Sequence, residues 1–124
     1  MAAPNIVGVT TILGITTSQT LGTTATTIVS NTAGSGKVFK INAIVAANKT
    51  ASTATVTVRY NDAAAGAGTT LAIANGIDIA TKSTLVILDK ASSIYLEEAR
   101  SLTALCGTAS AIDLVVSYED ITNL

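Results

Sequence analysis

The sequence predicts an all-β fold: a single antiparallel β-sandwich, jelly-roll-like, over residues 21–124, preceded by an extended N-terminal arm over residues 1–20. Three observations carry that prediction. Apolar residues recur with a period of two rather than 3.6. Thr, Val and Ile fill the candidate elements, and β-branched side chains pack well on a pleated surface. Clusters of Gly, Asn, Ser and Ala punctuate the chain about every 10–15 residues, as turns between short strands do. A length of 124 residues allows one domain with one core.

The arm is an apolar, Thr-rich stretch without charge, broken by Pro4, Gly8 and Gly14. It is expected to lie either on its own sheet edge or against another chain by strand addition. A strand follows near residues 25–30, then the turn Asn31-Thr-Ala-Gly-Ser-Gly36. Residues 37–47 read as a half-buried strand with Phe39, Ile41, Ala43 and Val45 on one face and Lys40 and Asn42 on the other. Residues 53–60 alternate more strictly, Val56, Val58 and Tyr60 against Thr55, Thr57 and Arg59. These two strands are expected to form a hairpin through Asn48-Lys49-Thr50. Beyond the small loop Ala63-Ala-Ala-Gly-Ala-Gly68, a strand is predicted near 69–74, with Asn75-Gly76 as a hairpin turn. Residues 84–88 make the next strand. Leu96, Glu97, Glu98, Ala99 and Arg100 are fair helix formers. The alternation of Ile94 and Leu96, and of Leu102, Ala104 and Cys106, instead predicts strand, turn and strand over 93–97 and 101–106. The last strand spans 112–120.

Seven basic and eight acidic side chains, fifteen in all, are spread among 21 Thr and 21 Ala, with no His or Trp. Charged residues make up 12% of the chain, about half the usual 25%. So neutral a surface suits a protein packed among neighbours. The net charge of −1 and the dispersed basic residues leave no footprint for nucleic acid or an anionic membrane. No run of about 18 apolar residues suggests a membrane helix. The first residues lack the basic and apolar regions of a secretory signal, so synthesis in the cytoplasm without signal-directed export is expected. Cys106 is the only cysteine, which precludes an intrachain disulfide and predicts a small buried hydrophobe.

The inventory for chemistry is thin. Without His there is no Ser-His-Asp or Cys-His arrangement. Gly34-Ser-Gly-Lys37 lacks phosphate-loop spacing, because Asn31 and Val38 stand where Gly and Ser or Thr are needed. Glu97-Glu98 and Glu119-Asp120 are adjacent in strands, point to opposite faces and are expected to be solvated strand ends. Asp62, Asp78, Asp89, Asp113 and Asp120 are too scattered for a calcium loop. Asn48-Lys49-Thr50 matches a glycosylation sequon but is read as a turn. Tyr60, Tyr95 and Tyr118 are expected to anchor the core or an interface. No catalytic residue, metal ligand or cofactor is predicted, and the chain is not expected to be an enzyme.

The segments Met1-Ala-Ala-Pro-Asn-Ile-Val7, Thr26-Thr-Ile-Val-Ser-Asn31, Lys37-Val-Phe-Lys-Ile-Asn42, Ser93-Ile-Tyr-Leu-Glu-Glu98 and Val115-Val-Ser-Tyr-Glu119 resemble small virion structural proteins of marine tailed phages, especially cyanophages. The resemblance implies a capsid decoration or cement protein on the outer surface of the virion, bridging units of the major capsid protein. Where that family carries Gly-Asp after the paired glutamates, this chain has Ala99-Arg100, which bears on the turn. On this reading Ile6, Val7, Val9, Ile12 and Leu13 of the arm contact the capsid, and a homo-oligomer, expected as a trimer, protects the sheet edges. The alternatives are a tail, neck or fibre component, or a non-catalytic carbohydrate- or host-surface-binding module.

Overall fold

A computed structural model describes residues 6–9 and 11–122. Nine strands follow in order: β1 (Thr11–Thr20), β2 (Thr26–Asn31), β3 (Lys37–Asn48), β4 (Ala54–Asn61), β5 (Thr70–Ile79), β6 (Thr84–Leu88), β7 (Ile94–Leu96), β8 (Arg100–Cys106) and β9 (Ile112–Thr122). One sheet runs β1-β9-β3-β6, with short β7 also pairing β3. The other runs β2-β8-β4-β5. Every pairing is antiparallel.

The pairs are nested. β4 pairs β5, β3 pairs β6, β2 pairs β8 and β1 pairs β9, as though one long hairpin had been rolled up. Rolling creates the remaining contacts, β3 with β9 and β4 with β8. That is jelly-roll connectivity, and it accords with the all-β sandwich read from the sequence. It also overturns the expected hairpin through Asn48-Lys49-Thr50. β3 and β4 belong to different sheets, so this segment carries the chain across the sandwich.

The arm expected over residues 1–20 is, for residues 11–20, an edge strand: β1 pairs β9 from Thr11↔Thr122 to Thr20↔Asp113. Of the two placements open in the sequence, β1 takes its own sheet edge. Residues 1–5 and 10 lie outside the described residues.

Two bulges redirect side chains that simple alternation misplaced. The β3–β9 register slips between Ile41 and Ala43, making Asn42 the extra residue. Phe39 and Ile41 therefore face the core, but beyond the bulge Ile44 and Ala46 take over, while Ala43 and Val45 turn outward and are half-buried. An odd insertion inverts the face of a period-two strand. The second bulge is Asn75-Gly76, which lies within β5 instead of closing a hairpin. Gly76 has φ 60°, and its N–H donates to Thr57 Oγ1 at 3.0 Å. The left-handed backbone that suits Asn-Gly to a tight turn serves equally well in a bulge.

Leu21, Ile41, Ile44, Leu96, Leu102, Ile112 and Leu114 are fully buried between the sheets, each contributing about 1.5–3 kcal/mol by leaving water. Phe39 and Tyr118 pack with ring centroids 5.1 Å apart. Cys106 is buried as expected, its thiol 2.9 Å from the Thr108 carbonyl. Two buried asparagines tie the sheets together. Asn31 of β2 donates to the carbonyls of Lys37 and Leu96, and Asn48 of β3 donates to those of Ser52 and Ile79.

The adjacent carboxylates are not all solvated strand ends. Glu98 is only 7% exposed and accepts the Gly36 N–H at 2.6 Å. Asp120 is 6% exposed and pairs with Lys37 Nζ at 3.1 Å. A carboxylate thus satisfies the Gly34-Ser-Gly-Lys37 turn from within the chain.

Candidate functional site

The side chains that could carry chemistry are dispersed. Among the described residues no group of three or more His, Cys, Asp or Glu could hold a metal ion, and no helix is long and apolar enough to cross a membrane. A shallow groove of about 460 Å³ is lined by Ser18, Gln19, Thr20, Asp113 and Val115. Asp113 there accepts the Thr20 hydroxyl at 2.7 Å and Lys49 Nζ at 3.2 Å. The Thr20 hydrogen bond and then Lys49 hold its carboxyl below the ordinary Asp range, partly offset by desolvation. A carboxylate so engaged is a structural tie.

The exposed apolar surface is more organised. The strand orders place β1 and β2 at one side of the sandwich and β5 and β6 at the opposite side. All four strands present an edge that pairs with nothing among the described residues, and such edges are templates for another strand. At the first side Ile12 is 55% and Leu13 53% exposed. Leu13 lies on the inward-facing side of β1, with Ile15 and Thr17, yet stays exposed. At the second side a groove of about 340 Å³ opens between the sheets, lined chiefly by Ile73, Ile77, Leu85, Val86 and Ile87. Ile77 is 41% and Val86 57% exposed.

The five arm residues are therefore split. Ile12 and Leu13 sit on opposite faces of the edge strand β1, whereas Ile6 and Val7 lie in an exposed turn before it and Val9 is half-buried. They do not form one apolar stripe. The β5–β6 groove was missed, although its signal was present. Leu71, Ala72, Ile73 and Ala74, and then Leu85, Val86 and Ile87, make strands that are apolar on both faces, and such strands are normally covered on both.

No family model matches this chain. No curated protein matches it either. Among solved structures it is similar to a chain described under "Bacillus endospore appendages form a novel family of disulfide-linked pili", at a TM-score of 0.54 and 20% identity, over 92% of this chain and 88% of that one. The likeness is one of fold. It overturns the expectation of a capsid decoration protein docked on the major capsid protein, because the same sandwich over nearly the whole chain occurs in a pilus, not a shell. Of the arm residues expected to contact the capsid, Ile12 and Leu13 belong to the edge strand β1.

Proposed function

We propose that this protein is a non-catalytic structural subunit that polymerises with copies of itself into a fibre, joining the β1–β2 side of one copy to the β5–β6 side of the next. One observation carries the reading: the two open sides are opposite and unlike, an edge strand with Leu13 and Ile15 at one and an apolar groove at the other. Unlike surfaces make a heterologous contact, which propagates as an open chain unless its rotation closes a ring. Sides that face away from each other disfavour the tight ring of the expected trimer. Edge pairing supplies main-chain hydrogen bonds, and insertion of Leu13 and Ile15 into the groove supplies apolar burial. The paucity of charge lowers the desolvation cost of such repeated contacts. The likeness to a pilus subunit supports the same reading.

Electron microscopy and sedimentation of the purified full chain test it. Fibres should form with concentration, and Leu13→Arg and Ile77→Arg should each abolish them while circular dichroism and thermal unfolding remain cooperative. A wild-type chain that stays monomeric at high concentration overturns the proposal.

A further inference from the structure

Beyond its edges, the five-stranded sheet has an outer face whose side chains can be read from register. Five cross-strand rows run over it; in that of Ile12, Ile121 and Val38 the last two are buried, and that of Thr16, Ser117 and Ala43 is small and neutral, which leaves three. In the first, Gly14, Glu119, Lys40 and Tyr95 stand side by side on β1, β9, β3 and β7. In the second, Ser18, Val115, Val45 and Val86 do so on β1, β9, β3 and β6. In the third come Thr20, Asp113, Ala47 and Thr84. Tyr95 is 44%, Val115 40% and Val86 57% exposed. Lys40 faces Glu119 in register, yet makes no ion pair among the described residues. Among the described residues Glu119 accepts the Asn42 amide, at 2.7 Å.

We propose that this face pairs with the same face of a second copy about a two-fold axis parallel to the strands, between β3 and β9. That axis lays β9 over β3 and β1 over β6 and β7 of the second copy. Glu119 then meets Lys40 of the second copy, and Lys40 meets its Glu119. Val115 meets Val45, and Val86 meets Ser18. Tyr95, the bulkiest exposed side chain of the face, lands on Gly14, where no atom lies within 4 Å of the position a Cβ would take. A projecting ring and a vacant site, related by the operation that pairs the charges, make the surface self-complementary.

The competing stack fails on charge. A two-fold across the strands at the level of Val116 would set Glu119 against Asp113 of the second copy and leave Lys40 over Ala47, and like charges brought together at a buried contact are repelled. The third row needs no partner, since Asp113 is already neutralised by Lys49 at 3.2 Å. The contact is isologous and ends after two copies. Combined with edge polymerisation it would join two fibres side by side, although it stands without that reading.

Two experiments with the full chain decide. In sedimentation equilibrium, Lys40→Glu should weaken pairing on the order of tenfold or more through like-charge contact, and so should Glu119→Lys. The double exchange K40E/E119K should restore it. In the second, a Val45→Cys chain is mixed with a size-tagged Val115→Cys chain and oxidised, and a disulfide should join the unlike chains. Edge contacts cannot bring the central strands of two copies together, so this cross-link reports the face alone. Failure of the cross-link, or a double exchange no better than the single ones, overturns the face contact even if fibres form. A cross-link without fibres overturns the polymer reading and leaves this one standing.

Discussion

Asn31, fully buried in β2, donates its side-chain amide to the Leu96 carbonyl of the opposite sheet at 3.0 Å. The same amide reaches the Lys37 carbonyl at 2.9 Å, and its oxygen accepts the Ser35 hydroxyl. One side chain thus joins β2, β3 and β7 and closes the turn between the first two. Asn31→Ala removes three hydrogen bonds around a buried position, a cost of about 3 kcal/mol at about 1 kcal/mol each. Chemical denaturation should show a lower midpoint with an unchanged slope. A loss below about 1 kcal/mol would mean that water replaces the amide.

Ala99 has φ 59°, and its N–H donates to the Asn31 carbonyl at 2.8 Å. A non-glycine residue in the left-handed region costs about 1–2 kcal/mol, whereas a glycine loses about 0.4–1 kcal/mol through its freer unfolded chain. Ala99→Gly should therefore stabilise the fold by roughly 0.5–1 kcal/mol, the difference between those two effects. Thermal unfolding checks the sign.

Burial, and then the nearby Asp120 carboxylate, raise the Tyr118 hydroxyl above the ordinary tyrosine pKa, partly countered by Lys37. The neutral form is thus favoured in the fold. Its contribution is complete below the unfolded-chain value, about 10, and is lost as pH rises through the folded value, because the unfolded chain releases the proton first. The stability of Tyr118→Phe should fall less steeply than that of wild type above pH of about 10. Parallel slopes would refute the assignment.

The solved neighbour belongs to disulfide-linked pili, but the single cysteine here is 1% exposed. Fibres of this protein should withstand thiol reductants and should form equally well from Cys106→Ala, provided that variant folds. Dissolution by reductant would show that Cys106 leaves the core on assembly.

The strands were legible in the sequence because Thr, Val and Ile alternate; β6 occupies the predicted residues, 84–88. The bulges were not. Nothing local distinguishes Asn42 as an inserted residue, since its effect is felt only against β9. Asn75-Gly76 announces a left-handed backbone without saying whether the strand turns or buckles. The crossing from β3 to β4 escaped for a related reason: a short polar connection fits a hairpin as well as a jump between sheets, and only the nested pairing chooses. Buried Glu98 and Asp120 looked like solvated ends because their partners, the Gly36 N–H and Lys37, are 62 and 83 residues away in sequence.

The nested pairing bears on how the protein is made. β9 lies between β1 and β3, which do not pair with each other. The larger sheet therefore stays divided until residues 112–122 have left the ribosome, however early β1 emerges. Throughout translation β1 waits with both of its edges bare, and contacts so distant along the chain form slowly. Until β9 is made, β1 is thus open to pairing with any other extended strand.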